Sequence, residues 1–66
     1  MKKELMCQKL NLAIESEKYA IGVYRKVGSE LLAENDIESA QLFINLSNEE
    51  EKHIEQLNNK LKEMSC

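Results

Sequence analysis

Residues 46–57 read LSNEEEKHIEQL, three glutamates in a row followed by His53, the only histidine of the chain. On a helix, Ser47, Glu50, Ile54 and Leu57 share one face, flanked by Leu46 and His53, since side chains three and four apart are stacked neighbours. That register turns Glu50 toward the apolar side and sends Glu49 and Glu51 to its flanks. A carboxylate directed at an apolar core costs several kcal/mol unless it meets a cation, a proton or a metal.

The register extends in both directions. Ala40, Phe43, Ser47, Glu50, Ile54, Leu57, Leu61 and Met64 alternate three and four apart. So do Met6, Leu10, Ala13, Glu17, Ala20, Tyr24, Val27 and Leu31, with Ile14 and Ile21 widening that stripe on one side. Two heptad stripes predict two amphipathic helices. Between them, AENDIE (33–38) suggests a capping box of Asn35 and Glu38. The spacing predicts helices over about Lys2–Glu34 and Asp36–Met64, and so short a linker makes them antiparallel.

Composition agrees. The chain has 66 residues, 32% charged and 42% from the AVILMFWYC set, with no Pro, no Trp and two Gly. One domain, 1–66, is expected, and it is too small to be secure without a disulfide, a metal or a partner subunit. A net charge of −3 gives no nucleic-acid footprint. No apolar run is long enough for a signal peptide or a membrane span, so the default compartment is the cytoplasm. In a reducing cytosol Cys7 and Cys66 are expected as free thiols, with a tether between the helix ends as the alternative.

Glu17 and Glu50 are the misfits on the stripes, and no Lys or Arg shares a stripe with them. Glu17 stands 18 residues before Asn35 and His53 stands 18 after it, so both lie at one level of a hairpin. That level is roughly 27 Å from the turn at a rise of 1.5 Å per residue. Glu50 is within one turn of it. Two hairpins paired about a two-fold axis at this level, with turns at opposite ends, would form an antiparallel four-helix bundle. Its centre would hold two copies each of Glu17, Glu50 and His53. A Glu from each of two helices, with Glu-x-x-His from each of the other two, is the ligand set of ferritin-like di-iron and di-manganese bundles.

The stretch AIESEKYAIGVY (13–24) resembles the first ligand helix of the rubrerythrin branch of the ferritin-like superfamily: Glu, then Ala three on, then Tyr seven on. LSNEEEKHIEQL resembles its second ligand helix. The likeness spans about residues 10–61 and corresponds to half of a usual rubrerythrin-like domain, as in small ferritin-like proteins that complete their site by dimerisation. It implies Glu17, Glu50 and His53 as metal ligands, Glu50 bridging, with Tyr24 hydrogen-bonded to the site; these four would carry catalysis. It implies two iron ions per dimer, with manganese or zinc as alternatives, and ferroxidase or peroxide- or dioxygen-reducing activity served by a separate electron donor. Two features of rubrerythrins proper are missing: the four-cysteine rubredoxin-like module and the second pair of ligand helices. Function would therefore depend on a homodimer or higher homo-oligomer, and iron storage on a larger shell.

Blander readings stand beside these. With eleven Glu among 66 residues, a Glu three before the lone His arises by chance about one time in six. Glu49, four before His53, is a rival outside the apolar register. Tyr24 on a core stripe can simply be packed, and Tyr19 falls on the outer face. The alternative function is a metal-independent helical interaction or regulatory module that dimerises or docks on a partner helix. Centred acids on the stripes argue against it.

Overall fold

In a computed structural model, residues 2–66 form two α-helices, α1 (Lys2–Ala33) and α2 (Ile37–Glu63), packed side by side as an antiparallel hairpin. The hairpin is a rod of 51 × 14 × 10 Å. None of its helices is long and apolar enough to cross a membrane.

Both helices end on the same device. Asn35 takes a left-handed φ of 60°, the Asp36 N–H donates to the Leu31 carbonyl at 2.9 Å and the Asn35 N–H to that of Leu32 at 3.0 Å. This is a Schellman motif, which satisfies the last carbonyls of α1 and reverses the chain. Asp36, rather than the expected Asn35, then caps α2, its carboxylate accepting from the Ser39 N–H at 3.2 Å. Asn35 is spent on the left-handed position, which asparagine tolerates better than most residues. At the far end Ser65 has φ 57°, and the Cys66 and Ser65 N–H groups donate to Leu61 and Lys62 at 3.0 and 3.1 Å.

The stripe read on α2 is the one the fold uses, each of its residues being buried or half-buried. On α1 the seam is displaced. Leu10, Ile14, Ile21 and Gly28 are buried there, whereas Ala13, Ala20 and Val27 are half-buried and Met6 is exposed. The apolar face of α1 is wider than one neighbour can cover, so Ile14 and Ile21, which appeared only to widen it, join Leu10 in the contact. Arg25 of α1 and Glu51 of α2 form an ion pair on one rim of the seam. By helical period, Ala13, Ala20 and Val27 lie along the opposite rim with Leu46 and His53, leaving an open, partly apolar face.

The two cysteines are joined rather than free: Cys7 and Cys66 form a disulfide with their Cα atoms 5.9 Å apart. Helices of similar length in a hairpin bring the residues near their free ends to one level. The expectation of thiols weighed the compartment and not that geometry.

Candidate metal centre

The three consecutive glutamates separate as the helical period requires. Glu49 is exposed, beside Lys52 at 3.8 Å. Glu51 pairs with Arg25 on the rim. Glu50 alone turns into the seam, its side chain 19% exposed. Glu17 enters the same level from α1 and is 25% exposed.

His53 completes the group. Its Nδ1 lies 3.4 Å from Glu17 Oε2 and 3.6 Å from Glu50 Oε1. One donor atom from each of the three residues lies within 4.8 Å of the others. Donors about 2.0–2.2 Å from one ion can stand at most roughly 4.4 Å apart, so small rotamer changes bring the set to coordinating distance. Among the described residues no Lys or Arg pairs with Glu17 or Glu50. Their neighbouring polar group is an imidazole, whose nitrogen can donate to a carboxylate or coordinate a metal beside it.

The donor set fits a divalent metal of intermediate hardness. Two carboxylates supply two negative charges and hard oxygens, and imidazole suits iron, zinc and other transition metals. One chain nonetheless offers only three ligand residues, and the imidazole is on the open face with its side chain 48% exposed.

The surroundings are small or rigid. Ser47, only 2% exposed, donates its hydroxyl back to the Ile44 carbonyl at 2.7 Å, so its polar atom is satisfied within the helix. Ala20 is half-buried one turn from Glu17. Tyr24 packs its ring near Phe43, centroids 6.2 Å apart at 46°, toward the turn from the carboxylates. The side-chain hydrogen bonds among described residues join Glu17 to His53 and do not include one from Tyr24 to the site.

Sequence reasoning missed the Arg25–Glu51 pair. Its signal was present: each residue sits just past the stripe on its own helix, and the two helices run antiparallel.

The sequence pattern of the family described as Rubrerythrin matches residues 8–66, nearly the whole chain and including all three donor residues. No curated protein and no solved structure matches it. With a helical hairpin that carries Glu17, Glu50 and His53 as one potential metal-holding group and a family match across both helices, the chain belongs to the rubrerythrin family of ferritin-like, metal-binding proteins.

Proposed function

We propose that two copies of this chain pair through their open faces to complete a di-metal carboxylate centre that oxidises ferrous iron or reduces peroxide or dioxygen. The observation that carries the reading is the convergence of Glu17, Glu50 and His53 at the middle of the hairpin, beside a face left half-covered. A second copy related by a two-fold axis at that level would add three more ligand residues, giving four carboxylates for two divalent ions.

Surface area supports a partner. The hairpin exposes 5078 Å². A globular protein of 7.6 kDa exposes about 4,300 Å² by size scaling. The excess, roughly 800 Å², is what one partner contributes to a standard interface.

In this assignment Glu17 and Glu50 would hold the cations and neutralise them. His53 supplies a nitrogen ligand, and its seat on the open face puts it at the junction of the two copies. When bound, a pair of ferrous irons would supply two electrons, enough to take peroxide to water or dioxygen to peroxide. Ser47 and Ala20 keep bulk away from the carboxylates. Reduction of the centre between turnovers falls to a separate electron donor.

The test is anaerobic loading with ferrous iron followed by air or peroxide, reading the ferrous iron left for a colorimetric chelator. Wild type should consume two irons per two chains faster than buffer does. Equal rates for protein and buffer would reduce the site to a structural one and withdraw the oxidoreductase assignment.

A further inference from the structure

We infer that the Cys7–Cys66 disulfide is a reducible clamp on the open end of the hairpin, through which the thiol redox state of the surroundings sets the stability of the fold. Its effect on metal affinity rests on the functional reading above; the clamp itself does not.

The argument begins with closure. The hairpin has two ends. The turn at residues 34–36 closes one, and the other, where α1 starts and α2 stops, is closed by the disulfide. The bond spans 59 residues of sequence. Closing a loop of that length in the unfolded chain shifts the folding equilibrium by about a thousandfold in the chain-entropy account. Among the described residues little buried apolar surface holds this end. Leu5 and Met6 are 55% and 40% exposed, and Leu10 is the first buried residue of α1. On α2 nothing beyond Ser47 is buried; Leu57, Leu61 and Met64 are half-covered.

The local structure positions the bond. Ser65 in the left-handed conformation and the Cys66 N–H to Leu61 carbonyl bond fold the chain back across the end of α2. That return brings Cys66 against α1, at a Cα separation of 5.9 Å from Cys7, inside the usual range for an unforced bridge. Cys66 is exposed and Cys7 half-buried, so a reductant approaches from the Cys66 side.

Reduction follows thiol–disulfide exchange with a dithiol, small or protein-borne. A thiolate of the dithiol attacks one sulfur, the Sγ–Sγ bond breaks, and its second thiol resolves the mixed disulfide. Two electrons and two protons pass to Cys7 and Cys66, and the dithiol leaves as a disulfide. The helix ends are then free to separate. Glu17 lies ten residues along α1 from Cys7, roughly 15 Å at the helical rise, so the donor group sits between the turn and the clamp. Linkage makes the coupling reciprocal: a clamped hairpin holds metal more tightly, and a metal-loaded one resists reduction.

The experiment has two arms. In the first, metal-free protein in chelator is compared with and without dithiothreitol, by thermal melting and amide hydrogen exchange, beside a Cys7→Ser/Cys66→Ser variant. The expected result is a lower melting temperature for the reduced protein, with protection lost first over residues 2–13 and 57–66. The variant should behave like the reduced wild type and ignore the reductant. Unchanged melting and exchange on reduction would overturn the clamp, as would a variant that still responds to dithiothreitol. In the second arm, manganese affinity is measured in both redox states, with a loss of tenfold or more expected on reduction. Equal affinity in the two states would overturn the coupling while leaving the metal site standing. No manganese binding in either state would overturn the metal reading and the coupling together, with the clamp judged by the first arm alone.

Discussion

Glu17 and His53, 36 residues apart in sequence, meet across the hairpin with Oε2 and Nδ1 3.4 Å apart. That distance is long for a charge-assisted hydrogen bond, which is normally 2.7–2.9 Å. The pair is juxtaposed without being closed on each other, the arrangement an ion between them would use. His53→Ala should therefore cost little in folding, under about 1 kcal/mol for a half-exposed side chain. It should weaken manganese or ferrous iron binding by about tenfold or more. Melting of the metal-free variant and a metal titration separate the two effects.

Glu50 carries the opposite balance. Without metal, Glu17 and Glu50 bring negative charge together on a partly desolvated seam, and the proposed two-fold copy would double it. Glu50→Ala should melt no lower than wild type in chelator, and higher if repulsion outweighs lost packing. It should lose the metal-dependent rise in stability, which for wild type at a hundredfold excess over Kd is about 2.7 kcal/mol. Calorimetry with and without metal reads both.

The open face can be closed by charge. Val27 is half-buried on the rim that carries Ala13 and Ala20. Val27→Glu should leave the hairpin helical but split the proposed dimer, raising its dissociation constant by at least tenfold. Light scattering across a dilution series, with circular dichroism as the folding control, makes the comparison. A wild-type chain that is a compact monomer at micromolar concentration would remove the interface from the account.

Gly22 offers a stability change with no site attached. Nothing lies within 4 Å of where its Cβ would stand, and it sits mid-helix. Gly22→Ala should stabilise the fold by about 0.5–1 kcal/mol through backbone entropy, seen as a higher denaturant midpoint at unchanged slope.

Much of this was legible in the residues, for physical reasons that differ from place to place. The heptad period exposes Glu17 and Glu50 as polar groups in an apolar register, and equal spacing from the turn puts His53 at their level. The α2 stripe survives unchanged, with Ile44 and Leu46 half-buried beside it. On α1 the period is right and the centre is not, since Ile14 and Ile21 compete with Ala13 and Ala20 and only packing decides. Asn35 and Asp36 are both good caps, and the choice turns on which of them takes the left-handed position. The disulfide was legible only as the alternative to free thiols, because the compartment argued for thiols while the closure also needs the reversed last turn at Ser65. Tyr24 shares the stripe with Glu17, yet its ring lies beside Phe43.

Native mass spectrometry of the metal-free protein titrated anaerobically with ferrous iron or manganese tests the central claim most directly. The account predicts a species of two chains carrying two metal ions, absent when Glu50 is replaced by Ala. Metal bound equally by single chains, or by wild type and Glu50→Ala alike, would contradict it.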